Sequence, residues 1–389
     1  MSDERTSRIR RILMGCGIAG ALGIVACIVG AVFHLEQALY SYLMAYVFVW
    51  SMAVGVLIML MIAHATRARW FIPFRPLAEG MSATLPILII LFVPIAVGAS
   101  VIYPWLHTDK LTDPHLIEVI HKKRAYLNFV FWVLRAALYF AIWWGLALAM
   151  RRHTRRDPAA GRDALATLGG FGLPWVGLAL TFASFDWIMS LDPSWYSTIF
   201  GVYVFAGGFL AGLSLIAIVA WVTDGAGLLG DVVHGSHYHA LGRMMLAFLI
   251  FWGYIGFFQG LLIYIANEPH EVTYYVHRLS GAWPAVGLIL IFGHFVVPFL
   301  LLLSRPLKFR RHLLGAVAVW LVIMHFVDSY WLVLPELHHD TLAPSWMDLA
   351  ALIGVLGITV AFAGWRLSKR SLVATNDPAL GYAATYQSL

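Results

Sequence analysis

Ten stretches of this chain are apolar for about 20 residues or more, the length an α-helix needs to cross a bilayer core. They run roughly over 12–33, 38–62, 81–103, 126–150, 166–189, 197–222, 241–266, 281–303, 313–334 and 346–368. Only helices suit such stretches, because an open strand leaves its backbone unsatisfied in lipid. Charge supports the same reading. Only 12% of the 389 residues are charged and 61% are hydrophobic, too few charges to coat a soluble protein of this length. The expected fold is therefore an all-α polytopic membrane protein of about ten transmembrane helices. The net charge of +6 belongs to loops beside a bilayer and does not indicate nucleic acid. Both cysteines, Cys16 and Cys27, fall in the first apolar stretch, so neither a disulfide framework nor a thiolate cluster is expected. Leu13-Met14-Gly15-Cys16 faintly resembles a lipoprotein cleavage site, but its apolar region follows it instead of preceding it, so the first span is read as uncleaved.

Lys and Arg divide unevenly between the two sets of loops. Nineteen of the 26 fall in the N-terminus, the second-to-third, fourth-to-fifth and eighth-to-ninth loops and the tail. Five (Lys110, Lys122, Lys123, Arg124 and Arg278) fall on the other side, while Arg135 and Arg243 lie inside spans. Basic residues mark cytoplasmic loops, so both termini are expected in the cytoplasm.

A repeat runs through this pattern. The fifth span ends in Phe185-Asp186-Trp187 and has Pro193 seven residues after the Asp; the ninth ends in Asp328-Ser329-Tyr330-Trp331, with Pro335 seven after its Asp. The loops before the fourth and eighth spans correspond as well, at His115 to Lys122 and at His270 to Arg278. A four-helix offset explains both matches. Parallel duplication of this kind occurs among transporters. The expected organisation is 1–37 as N-terminus and first flanking span, 38–196 and 197–340 as two parallel four-helix bundles, and 341–389 as last flanking span and tail.

Ionisable groups inside a membrane are costly and usually face a partner or a wet cavity. The clearest here are Asp186, Asp328, His325, His294 and Arg135, with Arg243, Gln259, Glu79 and His64 as secondary polar candidates. His325 lies three residues before Asp328, so the two share a helix face. Two readings stand side by side. One is a proton-conducting or quinone-facing network; the other is a set of buried ion pairs, Arg135 with Asp186 or Asp328, locking the bundles together. His294 and His325 also allow a third, axial ligation of a b-type haem. The histidines at 234, 237 and 239, and the run His338-His339-Asp340, read as solvated loops instead of metal sites. Most of the tryptophans read as interfacial anchors, and Pro86, Pro94, Pro174, Pro284 and Pro298 as kinks. No P-loop or dinucleotide fingerprint is present, and no catalytic residue or metal ligand is assigned.

Two segments resemble a known family. One is Phe185-Asp186-Trp187 through Met189-Ser190-Leu191-Asp192-Pro193 to Gly201 and Tyr203. The other begins His237-Tyr238-His239 and passes through Gly242-Arg243, Phe251-Trp252-Gly253-Tyr254, Asn267 and Gly293-His294-Phe295 to Asp328-Ser329-Tyr330-Trp331. They are similar to the ActF subunits of alternative complex III, a bacterial quinol:acceptor oxidoreductase, over roughly 165–335, with a looser match from Tyr126 through Arg135. ActF subunits are NrfD-like, and the NrfD-like fold is two four-helix bundles with flanking helices. The resemblance implies a non-catalytic, integral membrane subunit of a quinol-oxidising respiratory complex, structural in role and with proposals centred on proton movement. The partners it implies are a paralogous NrfD-like subunit, an iron–sulfur subunit, c-type cytochrome subunits, small membrane subunits and, in some complexes, a haem-copper oxidase. Those partners would carry haem c and iron–sulfur clusters; this chain is expected to bind no cofactor of its own, with quinone contact left open. The competing classes are a stand-alone secondary transporter on parallel repeats and a membrane cytochrome b ligating through His294 and His325.

Overall fold

The computed structural model describes residues 3–156, 161–375 and 377–388; the side chains of 3–9, 110, 155, 156 and 270 are outside that description. Of the sequence-based expectations, residues 1–2, 157–160, 376 and 389 of the domain scheme, the Arg5, Arg8, Lys110, Arg155 and Arg156 side chains of the charge tally, and the His270 side chain lie outside it. Among the described residues the protein is all-α, with ten helices long and apolar enough to span a membrane. They are Arg10–Phe33, Leu35–Ala65, Arg69–Val97, Phe129–Thr154, Gly161–Leu191, Phe200–Gly225, Gly235–Ala266, Trp283–Leu303, Arg311–Glu336 and Trp346–Ser368. The protein is a polytopic membrane protein.

Packing follows the four-helix offset. The second span packs on the third and fifth, and the fourth on the fifth; the sixth packs on the seventh and ninth, and the eighth on the ninth. Between the two groups the second span lies along the sixth, the fifth touches the sixth, and the ninth reciprocally touches the second. The first and tenth spans pair and lie against the second. Lipid offers no hydrophobic force between helices, so close approach must come from small residues and good packing. A Cβ on Gly55 would come within 2.3 Å of the Gly208 carbonyl oxygen, and one on Gly23 within 2.5 Å of the Gly354 amide nitrogen. Those glycines let the second span reach the sixth, and the first reach the tenth.

The two ends of the molecule differ. At the Arg-rich end, Arg67 pairs with Asp163 at 2.7 Å, Arg370 of the tail with Glu79 at 3.4 Å, and Arg75 with Asp377. At the opposite end lie two short helices, Pro114–Lys123 and Pro269–Leu279. Loops counted together in the charge tally thus sit together.

Several expectations need correction. Trp132, Trp143, Trp187, Trp195 and Trp283 are fully buried, and Trp50, Trp143 and Trp187 pack edge-on or tilted with centroids 4.9–6.0 Å apart. They are core, because an indole fills the space between packed helices with a large apolar surface; Trp144 remains exposed. Pro86 and Pro284 stand in the first turn of their helices, where proline starts a helix and does not kink one. His237 and His239 are buried, not solvated. The helix begins at Gly235, earlier than the apolar pattern suggests, and the His237 ring caps its first turn. The C-terminal tail then covers all three rings: His234 and His237 bond the Ala384 and Ala383 carbonyls at 3.1 and 3.0 Å, and His239 bonds Ser388 at 2.7 Å.

Candidate functional site: two buried carboxylates

Asp186 and Asp328 both lie near the end of their spans, opposite the Arg-rich loops, and both are buried. In the first bundle, Arg135 grips Asp186 with two parallel bonds, Nε to Oδ2 and Nη2 to Oδ1, both 2.8 Å. This bidentate geometry is the strongest that a guanidinium makes. Tyr139, four residues after Arg135 and so on the same helix face, donates to Oδ2 at 2.7 Å. The remaining Arg135 nitrogen, Nη1, donates to the Tyr126 carbonyl at 2.9 Å, and the guanidinium lies 3.8 Å over the Tyr126 ring. Trp132 Nε1 and Ser190 Oγ hold the Asp186 backbone carbonyl at 3.0 and 2.7 Å. Here charge and hydrogen-bonding capacity are both met. The pair joins the fourth and fifth spans of one bundle and does not bridge the two bundles.

In the second bundle the surroundings change. Asp328 accepts from Tyr203 at 2.5 Å, and no Lys or Arg forms an ion pair with it among the described residues. Gly207 makes room for the group, since a Cβ there would come within 3.3 Å of Asp328 Oδ2 and 3.4 Å of Trp252 Nε1. Trp252 in turn lies against His294, ring centroids 4.0 Å apart. One turn before Asp328, His325 Nε2 bonds Ser51 Oγ of the second span at 2.8 Å, and its ring lies 5.6 Å from that of Phe48. His325 thus ties the ninth span to the other bundle.

The imidazoles are short of partners. Neither nitrogen of His294, nor Nδ1 of His325, has a hydrogen bond among the described residues, and all are buried. A buried polar atom left unsatisfied costs about 1–3 kcal/mol and asks for an explanation. His294 also sits where the eighth span is a π-helix, Leu290–Val296, an arrangement found disproportionately at functional sites. Widening the helix frees the Gly293 carbonyl, which Trp320 Nε1 takes up at 2.7 Å.

The secondary candidates do not join this group. Gln259 Nε2 donates to Tyr275 of the outer helix at 3.3 Å. Glu79 pairs with Arg370, and His64 lines a cavity at the Arg-rich end with Arg67, Arg75 and Asp377. Arg243 is exposed, not buried as its place in the span suggests. It lies two turns from the helix start at Gly235, close enough for a long side chain to reach the interface. Four residues of the sites escaped sequence reasoning. Tyr139 was recoverable from its i+4 spacing to Arg135, and Tyr203 from its place in the resembling segment. Trp252 also stands in a resembling segment, whereas Ser51 carries no local signal, because only packing between helices brings it to His325.

The chain matches no protein-family model, and no curated protein is similar to it.

Proposed function

We propose that this chain is a membrane subunit of a quinol-oxidising respiratory complex of the alternative complex III type, in which the first bundle is a structural brace and the second holds a proton site. The division at residues 38–196 and 197–340, the inner-membrane location and the cytoplasmic termini belong to this reading. So do the partners: the NrfD-like paralogue, the iron–sulfur subunit, the c-type cytochromes, the small membrane subunits and, in some complexes, the haem-copper oxidase. The resemblance of the segments around Asp186 and from His237 to Trp331 supports the assignment to a complex. The observation that carries the proton role is the setting of Asp328: a buried carboxyl with one hydroxyl donor and, among the described residues, no ion-paired cation, a turn from His325 and across Trp252 from His294.

Carboxyl and imidazole groups exchange protons readily when water links them. In this mechanism Asp328 takes up a proton and passes it toward the imidazoles. Tyr203 holds the carboxyl in place, and the unpartnered nitrogens of His294 and His325 receive and release the proton in turn. Quinone contact of this chain is part of the proposal only as a surface beside the complex, without an assigned ligand.

Purification from native membranes in mild detergent tests the assignment. A c-type cytochrome and an iron–sulfur polypeptide should accompany the chain; a chain that purifies alone and transports a solute by itself would sink it. In the assembled complex, Asp328→Asn should lower the protons moved per electron while assembly is intact. An unchanged ratio would reduce Asp328 to a structural residue.

A further inference from the structure

The end opposite the Arg-rich loops carries a second cluster, apart from the buried carboxylates. His277 belongs to the outer helix Pro269–Leu279. Glu336 ends the 3-10 turn that follows the ninth span, and His339 stands three residues further. One ligating atom from each lies within 4.8 Å of the other two. The His277 and His339 rings are tilted together with centroids 4.4 Å apart, and His277 Nδ1 is buried with no hydrogen-bond partner among the described residues.

The backbone around these side chains is held firmly. Arg278 donates from Nη1 to Glu336 at 2.9 Å and from Nη2 to the Leu332 carbonyl at 3.1 Å. A carboxylate offers two oxygens and several lone pairs, so Arg278 orients Glu336 without exhausting it, as outer partners do around metal ligands. Trp283 Nε1 donates to the His338 carbonyl at 2.7 Å, and the His338 ring bonds Gln37 at 2.6 Å. Gly281, at φ +57, lets the turn lie directly on this segment, since a Cβ there would come 1.8 Å from the Asp340 carbonyl oxygen. His339 therefore extends from a fixed chain.

The repeat supplies a control. Its first copy keeps an imidazole at His121, the counterpart of His277, but that side chain is exposed. Where Glu336 follows Pro335, Ser194 follows Pro193. The carboxylate and an imidazole that is half-buried occur together only in the second of the two segments.

We propose that His277, Glu336 and His339 form a binding site for a divalent transition-metal ion of the borderline class, for which Zn²⁺ is the probe. Two imidazoles and a carboxylate form a ligand set that zinc accepts, with a fourth position open to water. Bonds of about 2.0–2.2 Å require the three groups to close in slightly, and exposed His339 is the one that can turn inward. The site braces the outer helix against the end of the ninth span, independently of the role proposed for Asp328.

The test uses the full chain in detergent, purified without a polyhistidine tag, stripped with a chelator and titrated with zinc chloride. Bound zinc is measured by mass spectrometry after gel filtration. One Zn²⁺ per chain is expected, with affinity falling at least about tenfold in His339→Gln and in His277→Gln, and unchanged in His121→Gln. Because His339 is exposed and makes no hydrogen bond that holds the fold, its variant stays informative if His277→Gln misfolds. Failure of the wild-type chain to bind zinc at micromolar concentration would overturn the site. So would equal binding by His339→Gln.

Discussion

In the first bundle the Asp186 carboxylate receives two bonds from Arg135 and one from Tyr139. In the second, Asp328, at the matching place in the repeat, receives one from Tyr203. The partner also comes from a different quarter: the fourth span serves Asp186, whereas the sixth serves Asp328. Where the fourth span carries Arg135 and Tyr139 about two turns in, the eighth span has the π-helical stretch around His294. The acid is thus present at both places, with a counter-charge beside it in the first bundle and imidazoles nearby in the second. The first carboxylate is matched by a guanidinium; the second has a hydroxyl partner and stands near His294, whose nitrogens have no hydrogen bond among the described residues, and His325, bonded through Nε2 alone.

The largest test of this contrast is Asp186→Asn. It strands Arg135 in a buried site, and loss of one member of a buried pair costs about 3–5 kcal/mol. Thermal unfolding in detergent should show a strongly lowered midpoint. The double variant Arg135→Leu with Asp186→Leu should recover much of that loss, since apolar replacement of both partners is often near neutral; a double variant no better than the single one would break the brace reading.

Tyr203→Phe should have a smaller effect. It removes the donor to Asp328 and leaves a buried acceptor unmet, a loss of about 1–3 kcal/mol. The carboxyl band of Asp328 in the infrared spectrum, assigned by its disappearance in Asp328→Asn, should shift. A band that stays in place would mean the hydroxyl is not its partner.

Ser51→Ala removes one bond between the bundles, to His325. Hydrogen bonds between membrane helices average about 0.6 kcal/mol, so the unfolding midpoint should move little. A large drop would show that this contact, and not the glycine-lined packing of the second and sixth spans, holds the halves together.

Asp328→Asn should likewise disturb stability little, within about 1 kcal/mol, since an isosteric amide still accepts from Tyr203 and strands no cation. Its destabilisation should be several-fold below that of Asp186→Asn. Equal losses would erase the distinction between the two sites.

Much of the molecule was legible in the sequence because its signals are local. Twenty apolar residues in a row demand a helix wherever they lie in the chain, and Arg clusters in alternate loops sort the two ends. Asp186 and Asp328 stood out for the same reason: a charge within an apolar run needs no alignment to be noticed. Arg243 looked similar and proved exposed, because position along a span does not give the direction of a side chain on the helix.

The sequence by itself determined the ten spans, the four-helix offset and the identity of the few polar residues buried within it. It left open whether Arg135 serves Asp186 or Asp328, and it sent three histidines to solvent that the C-terminal tail covers. Those choices depend on which helix faces meet, and contacts such as Ser51 with His325, 274 residues apart, have no trace in local pattern. Tertiary structure alone decided that one acid is paired and its repeat is not. The reason is physical: hydropathy acts on each segment separately, while a counter-charge is a matter of distance in space.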